Sequence, residues 1–281
     1  MNHTGSNPPN NPKTRAVAII PARYDSVRLP GKVLREIAGK PMICWVAERA
    51  AAAQNVSRTI VATDDERIVA AVKEHGYEAV LTRRDHRSGT DRIAEVAASL
   101  PDTNVIVNVQ GDEPIISPRS IELAIEELIA NPQAGIATTW EPMDSIDGVL
   151  NPNAVKIVVD DSGKAIYFSR SAVPFPRDAV REHGSLEAAL IHERGLVSTF
   201  RKHTGLYVYR RDVLLDFARW PQSDLEKIES LEQLRAMQHG CEIRAVQAAG
   251  PSVGVDNEAD LERVRAILEQ KTVLAAPASD G

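Results

Sequence analysis

Cysteines are scarce in this 281-residue sequence, and the patterns that cysteines usually form are absent from it. Cys44 and Cys241 lie far apart in apolar surroundings, and the sequence holds neither a CxxC pair nor a Cys/His cluster. Structural zinc sites and disulfide-stabilised secreted domains need closely spaced ligands or several paired cysteines. The sequence therefore argues against both classes, and we expect two buried thiols in a reducing compartment.

Long apolar runs and an excess of positive charge are also missing. No stretch approaches the ~20 apolar residues that a membrane-spanning helix needs. The formal net charge is −6, which argues against a general nucleic-acid surface but leaves room for a local basic pocket. Residues 1–15 are polar and lack the apolar core of a signal peptide. We therefore expect a cytoplasmic protein with no nucleic-acid and no membrane partner.

Two common phosphate-binding fingerprints are absent as well. The sequence has no GxGxxG motif, and the loop that comes nearest to a P-loop has a valine after its lysine and a serine in place of the first glycine. That loop still carries Arg23, Arg28 and Lys32 directly after an apolar strand. Because arginine and lysine side chains bind phosphate oxygens well, the loop is either a phosphate site or a solvated basic loop, and alone it favours neither.

What the sequence does contain is a regular alternation of strands and helices in its first half. Strands are predicted at 17–20, 58–63, 78–82 and 104–110, and helices at 41–53, 64–76, 90–100 and 118–130, the last capped by Ser117. Such alternation predicts crossover units and a parallel sheet covered by helices on both faces. The expected fold class is therefore α/β.

The pattern changes near residue 153. Two strand-like runs flank Asp160–Gly163, which is a hairpin signal, and about thirty charged, irregular residues follow. A strand at 203–210, a helix at 223–240, a strand at 242–247 and a helix at 257–270 complete the chain. We expect one domain over residues 16–271 with an antiparallel insertion at about 153–203, and flexible tails at 1–15 and 272–281.

Carboxylates follow the strands at the edge where ligands of open α/β sheets bind. Asp112 comes after the strand "VNVQ", and a carboxylate facing a triphosphate is a usual Mg²⁺ ligand because that ion prefers oxygen. Asp256, in "GVDN", is a second candidate, although capping of the following helix would also explain it. Cations and carboxylates at one sheet edge predict a triphosphate site with Mg²⁺, and hence nucleotidyl transfer with release of pyrophosphate.

Polar residues also interrupt several later segments. Ser88 lies among cations in "RRDHRSGTDR", and Glu232 and Gln233 lie inside a helical pattern. His203 and Tyr207 are four apart in a strand, so they share one face. These residues also have purely structural explanations. The polar ones could lie on a solvated face and the histidine could be hydrogen-bonded in the core, and the sequence alone does not exclude this.

Nine segments, taken in order, resemble the 3-deoxy-manno-octulosonate (KDO) cytidylyltransferase family, also called CMP-KDO synthetases. They are IIPARYDSVRLPGK, VATDD, HRSGTDR, VNVQGDEP, NPNAVK, YFSRSAVPFPR, HTGLYVYR, LEQLR and GVDNEADLERVR, and they run from about Ala16 to Leu268. The first segment marks only the wider class of sugar-nucleotide transferases. VQGDEP, SRSAVPFPR and LEQLR select this family.

The resemblance implies a Rossmann-like nucleotide-diphospho-sugar transferase fold and a homodimer made largely by the inserted strands. It implies that CTP and KDO give CMP-KDO and diphosphate, with Mg²⁺, in lipopolysaccharide biosynthesis. Matched by position, the catalytic residues are Arg23, Lys32 and Asp112; the CTP-binding residues are Ala22, Arg23, Arg28, Lys32, Arg84, Ser88 and Gln110; the sugar-binding residues are Gln110, Arg170, His203, Tyr207, Glu232 and Gln233; the metal ligands are Asp112 and Asp256.

The opening segment departs from the family pattern at two positions. Val27 replaces a threonine and Val33 replaces a proline. We expect the lost hydroxyl to weaken one phosphate contact and the lost proline to loosen the loop.

Two rival functions differ in class. A CMP-sialic acid synthetase would use another sugar acid, and VQGDEP and LEQLR argue against it. A catalytically silent nucleotide-sugar-binding protein would lack a cation or carboxylate of the site, whereas Arg23, Lys32, Asp112 and Asp256 are all present.

Overall fold

Eleven strands and eleven α-helices form the part of the chain that the computed structural model describes, residues 16–25 and 29–275. The strands are β1 (Ala16–Ala22), β2 (Glu36–Ile37), β3 (Lys40–Pro41), β4 (Val56–Thr63), β5 (Glu78–Leu81), β6 (Val105–Asn108), β7 (Ile136–Pro142), β8 (Lys156–Val159), β9 (Ala165–Ser169), β10 (Arg201–Arg210) and β11 (Ile243–Gln247). The helices are α1 (Met42–Ala51), α2 (Glu66–Glu74), α3 (Gly89–Ala98), α4 (Pro118–Ala130), α5 (Ile146–Leu150), α6 (Arg177–His183), α7 (Leu186–His192), α8 (Arg211–Phe217), α9 (Asp224–Glu229), α10 (Gln233–Gln238) and α11 (Glu258–Ala275).

Seven strands cross the central sheet in the order β11-β7-β10-β6-β1-β4-β5, and the β8–β9 hairpin joins it through β10. β1 runs parallel to β4 and β6, β4 to β5, and β7 to β11. β10 runs antiparallel to both of its neighbours, β6 and β7. The predicted α/β class with a mainly parallel sheet is therefore confirmed, whereas the antiparallel strand in the middle of the sheet is a feature that the sequence pattern did not predict.

Helices cover both faces of the sheet, which explains why β1 is apolar throughout. On β1, Ala18 and Ile20 pack into a core shared with α1, α4 and α11, while Val17 and Ile19 pack into a second core shared with α3, α8 and α10. Ser117 precedes α4 as predicted, but its side chain makes no capping hydrogen bond. The loops that carry the candidate site lie at the edge of the sheet where β1, β4 and β6 end.

The insertion is more regular than the sequence suggested. The β8–β9 hairpin is confirmed, with Val158 opposite Tyr167. The segment expected to be irregular contains α6 and α7, so that expectation is wrong. A small separate core that includes Leu190 and Phe200 gives α7 an apolar surface to pack on, and α6, which has no buried residue, packs against α7.

The predicted helix at 223–240 is wrong as a single element, because the chain breaks it at Ser230. Ser230 adopts a left-handed conformation with φ 52°, and the Leu231 N–H bonds to the Glu226 carbonyl at 3.2 Å. The break buries Leu231 in the second core and separates α9 from α10. Tertiary burial of one leucine thus overrides a continuous helical pattern.

The last helix extends beyond its predicted end at residue 270. α11 continues to Ala275, into the segment expected to be a flexible tail, while the tail predictions for 1–15 and 276–281 fall outside the described residues. Among the helices that the structure describes, none is long and apolar enough to cross a membrane.

Candidate active site

Lys32 and two carboxylates meet beyond the sheet edge. The Lys32 Nζ lies 2.5 Å from Asp112 Oδ2 and 3.5 Å from Asp256 Oδ1. Lys32 is placed by a 3-10 turn that follows Gly31, whose φ of 65° favours glycine. Three segments that are far apart in sequence therefore bring one cation and two carboxylates together, as the strand-end argument predicted.

The Asp112 loop needs a close approach of two backbones. A Cβ on Gly111 would lie 2.7 Å from the Pro21 carbonyl oxygen, so only glycine allows the turn after β6 to pack against the end of β1. The backbone N–H of Val255 then donates to the Asp112 carbonyl at 2.9 Å. This bond ties the Asp256 segment to the Asp112 loop.

Charged side chains anchor the same segment at Ser252. Its hydroxyl donates to Glu113 at 2.7 Å, its N–H donates to Glu141 at 2.6 Å, and its carbonyl accepts from Lys202 at 3.3 Å. Burial raises the pKa of Glu113 to about 7, which the Ser252 bond opposes. Four residues before Asp256, the chain is thus fixed to three different parts of the fold.

Capping of α11 does not require the Asp256 side chain. The Asn257 side chain accepts from the Asp260 N–H at 2.9 Å, and the Asp260 carboxylate accepts from the Asn257 N–H at 3.2 Å and the Asp256 N–H at 3.0 Å. Asn257 and Asp260 therefore form a reciprocal cap. Helix capping therefore does not explain the Asp256 side chain.

The donors around Lys32 fit a hard divalent cation. The Asp112 and Asp256 carboxylates already converge on the positive charge of an ammonium group. Mg²⁺ is usually held by one or two carboxylates together with water and substrate phosphates. The residues present are therefore suitable for Mg²⁺, and their role as its ligands stays a prediction.

A cavity of about 410 Å³, called here the arginine cavity, lies next to the loop that carries Lys32, because the Gly31 N–H donates at 3.2 Å to the carbonyl of Tyr24, one of its lining residues. Its lining residues are Arg23, Tyr24, Asp25, Asp64, Asp65, Arg67 and Arg84. Arg23 and Arg84, both predicted to bind CTP, therefore face the same space, and Arg23 also donates to the His86 carbonyl at 2.5 Å. Arg67 stacks over Tyr24 with its guanidinium carbon 3.4 Å from the ring centre and holds the pKa of Asp65 below its usual range. Several cations and an aromatic ring suit a nucleotide.

Other residues predicted for CTP lie in different places. Ser88 caps α3 by accepting from the Asp91 N–H at 3.2 Å and borders a separate cavity of about 680 Å³. Ala22 is 2 % exposed, at the end of β1. Arg28 and Val27 fall outside the described residues, and Val33 is buried in the first core, where its apolar side chain has a structural use.

A second cavity, of about 230 Å³, lies over the sheet between α3 and α10 and is called here the sheet-face cavity. Its lining residues are Gly89, Thr90, Asn108, Gln110, Tyr207, Tyr209, Ser230, Leu231, Glu232 and Gln233. Four residues predicted to bind the sugar are thus brought together: Gln110, Tyr207, Glu232 and Gln233. The Thr90 hydroxyl donates to Glu232 at 2.7 Å, and Gln110 donates to the Gly205 carbonyl at 3.2 Å.

Six lining residues were not among the predicted site residues, and three of these, Thr90, Asn108 and Tyr209, carry polar side chains from α3 and the sheet. Tyr209 shares its strand face with Tyr207, and its ring centre lies 5.9 Å from that of Tyr207. The signal for Asn108 was available, because it is a polar residue within an apolar strand. For Thr90 the signal was its position in the polar segment "SGTD".

His203 lies behind Tyr207 rather than in the cavity lining. Its ring centre is 5.2 Å from that of Tyr207 and 5.0 Å from that of Phe168. The Thr138 hydroxyl donates to the Leu206 carbonyl, so it accepts from His203 Nε2 at 2.9 Å and fixes the tautomer protonated at Nε2. Burial lowers the pKa of His203 to about 3. A neutral His203 therefore supports Tyr207.

Arg170 contacts the wall of the sheet-face cavity by bonding to backbone carbonyls. Its guanidinium donates to the carbonyls of Glu229 at 2.6 Å, Pro152 at 3.1 Å and Ser230 at 3.2 Å. Ser230 borders the sheet-face cavity, so Arg170 holds its wall. Pairing of Arg170 with a sugar carboxylate stays a prediction.

Comparisons with known proteins agree with one another. A family model described as cytidylyltransferase matches residues 17–243. The 3-deoxy-manno-octulosonate cytidylyltransferase of Geobacter sulfurreducens is 49% identical over 247 residues, which cover 88% of this chain and 96% of the relative. The enzyme of that name from Pseudomonas fluorescens is 49% identical over 254 residues, covering 89% and 97%.

Solved structures give the same result. A CMP:2-keto-3-deoxy-manno-octonic acid synthetase in complex with CTP has a TM-score of 0.81 and 43% identity, over 92% of this chain and 99% of that one. A cytidylyltransferase from Leptospira borgpetersenii, 12% identical with a TM-score of 0.59 over 92% of this chain and 87% of that one, shares the fold. The chain therefore belongs to the cytidylyltransferase family, and within it to the 3-deoxy-manno-octulosonate cytidylyltransferases.

Proposed function

We propose that this protein activates KDO by nucleotidyl transfer, in which CTP and KDO give CMP-KDO and diphosphate with the help of Mg²⁺. The observation that carries the proposal is the convergence of Lys32, Asp112 and Asp256 at the sheet edge, and the arginine cavity next to the Lys32 loop adds further cations. The sheet-face cavity supplies the polar surface that a sugar acid needs. The names of the close relatives support CTP and KDO as the substrates.

The proposed reaction is an in-line attack of the KDO 2-hydroxyl on the α-phosphorus of CTP. Asp112 and Asp256 would hold Mg²⁺, which supplies polarisation of the phosphate and lowers the pKa of a bound hydroxyl. Lys32 exchanges its carboxylate partners for phosphate oxygens, and with Arg23 it stabilises the charge on the departing diphosphate. No covalent enzyme intermediate is needed.

The sheet-face cavity orients the sugar acid in the proposed reaction. Gln110, Tyr207, Glu232 and Gln233 offer hydrogen bonds to the sugar, and this holds the 2-hydroxyl near the phosphorus. His203 stays neutral and keeps the Tyr207 ring in place. Arg170 is proposed as the partner of the sugar carboxylate, for which its bonds to the carbonyls of Pro152 and Ser230 would have to open.

The assembly is a further part of the proposal. We propose one domain with an insertion at about 153–203 that forms a homodimer. Support comes from exposed apolar side chains in this region, Ile166, Phe175 and Ile191, each at least 50 % exposed. Light scattering after size-exclusion chromatography tests it, and a monomeric mass at micromolar concentration contradicts it. From the names of the relatives we also propose that the protein acts in lipopolysaccharide biosynthesis and that it is located in the cytoplasm.

Diphosphate release from CTP is the experiment for the reaction itself. The purified chain is incubated with KDO, with sialic acid or without sugar, each with Mg²⁺ or with EDTA. We expect diphosphate only with KDO and Mg²⁺. Release with sialic acid alone would identify the rival cytidylyltransferase, and no release in any arm would favour the catalytically silent binding protein.

A further inference from the structure

Asn108 is a buried polar residue at the end of an otherwise apolar strand. It ends β6 and is 2 % exposed. Its side-chain carbonyl oxygen is buried without a hydrogen-bond partner among the residues that the structure describes. The cross-strand neighbours of Asn108 are Ile19 on β1 and Tyr207 on β10. If this side chain served packing alone, an apolar residue would be more stable here, because it would leave no buried oxygen unpaired.

A buried carbonyl oxygen without a partner lowers stability, since that atom gives up its bonds to water and gains none in return. Three other side-chain atoms in the described chain share this state, on Arg49, Thr59 and Arg92. None of those three residues lines the sheet-face cavity, whereas Asn108 does. Of these four residues, Asn108 is therefore the one that a ligand in the sheet-face cavity can contact.

We propose that Asn108 is a sugar-specificity residue, whose carboxamide binds a hydroxyl group of the sugar acid at the floor of the sheet-face cavity. The inference rests on the proposed function and adds a residue to it. A carboxamide offers both donors and an acceptor, and a hydroxyl group both donates and accepts. The two groups are therefore complementary.

The surrounding charge selects a hydroxyl rather than the carboxylate of the sugar. Glu232 borders the same cavity and is held there by the Thr90 hydroxyl at 2.7 Å. A substrate carboxylate beside Glu232 would be repelled, so the polyhydroxyl part of the sugar acid lies over Asn108. A site built to bond a hydroxyl also rejects analogues that lack it, because its own group is then left unpaired.

Asn108→Leu tests the proposal, because leucine keeps the approximate shape and removes the carboxamide. We expect the KM for KDO to rise at least tenfold, with the KM for CTP unchanged within twofold. We also expect the thermal midpoint of the sugar-free protein to be at or above that of the wild type. A carboxamide that serves the fold would instead show a lower midpoint and an unchanged KM for KDO, and that result would overturn the proposal.

Thr59→Val is the matched control. It also removes an unpartnered buried group, on β4, but Thr59 does not border the cavity. We expect a midpoint at or above that of the wild type and wild-type kinetics with both substrates. An equal rise in the KM for KDO in Thr59→Val would show that the Asn108 effect is a general consequence of altering the sheet, and would overturn the assignment.

KDO analogues that each lack one hydroxyl locate the contact. For the analogue without the hydroxyl that Asn108 binds, Asn108→Leu should cause no further loss, while it should still impair use of the others. Equal additional losses for every analogue would refute a hydroxyl contact. The proposed function is tested separately, because wild-type protein that releases no diphosphate with KDO refutes that function, whereas the thermal comparison depends only on the fold.

Discussion

Lys156 provides a stability prediction that can be worked from the structure. It is fully buried, and its ammonium group donates to the carbonyls of Asn151 at 2.9 Å, Ala154 at 2.8 Å and Arg170 at 2.8 Å. Burial, helped by the nearby Arg170 charge, lowers the pKa of Lys156. One side chain thus joins β8 to the turn before it and to the strand end that carries Arg170.

Lys156→Met keeps most of the apolar stem and removes all three hydrogen bonds. Hydrogen bonds to a charged group contribute about 1.5–3 kcal/mol each, and relief from burying the ammonium offsets part of the loss. We expect a net loss of about 2–4 kcal/mol in the free energy of unfolding. At about 2–4 °C per kcal/mol for a chain of this size, the thermal midpoint should fall by roughly 10 °C.

Urea or thermal denaturation measures this difference, and Lys164→Met is the matched control. Lys164 is 51 % exposed, and its ammonium group lies 3.7 Å from Glu242. An exposed pair of this kind contributes about 0–1 kcal/mol. If Lys156→Met unfolds within about 1 kcal/mol of Lys164→Met, the three carbonyl bonds do not hold this region together, and the reasoning is refuted.

Two further predictions concern stability. Because the pKa of His203 is about 3 in the folded protein and 6.5 in the unfolded chain, its stabilising effect is complete above pH 6.5 and is lost as the pH falls from 6.5 towards 3. At pH 5.5 the wild type should lose about 1.4 kcal/mol that His203→Gln does not lose, and parallel stability–pH curves would contradict this. Gly111→Ala should destabilise by about 1–3 kcal/mol, because its Cβ would lie 2.7 Å from the Pro21 carbonyl oxygen. Gly195→Ala, where a Cβ meets nothing within 4 Å, is the control, and equal melting of the two variants would contradict the close approach.

The sequence predicted the parts of the site that depend on strand ends. Lys32 and Asp112 each follow a parallel strand, and parallel strands end at one edge, so their meeting follows from the alternation alone. Asp256 was placed there as one of two alternatives, and the cap formed by Asn257 and Asp260 decided against the other.

Other features depend on contacts between distant segments. The position of β10 in the middle of the sheet is set by pairing with β6 and β7, and no local pattern records it. The break at Ser230 depends on the burial of Leu231. The carbonyl partners of Arg170 also lie far from it in sequence, so the resemblance could name Arg170 but could not place its guanidinium.

Asp112→Asn tests the central claim most directly. The change removes one formal charge next to Lys32 and keeps the shape of the side chain. Asp102→Asn, in the exposed turn before β6, is the matched control. The measurement is diphosphate release from CTP and KDO across a Mg²⁺ titration. We expect wild-type rates in Asp102→Asn and a loss of at least about 100-fold in Asp112→Asn with an unchanged thermal midpoint. A near wild-type rate in Asp112→Asn would contradict the account.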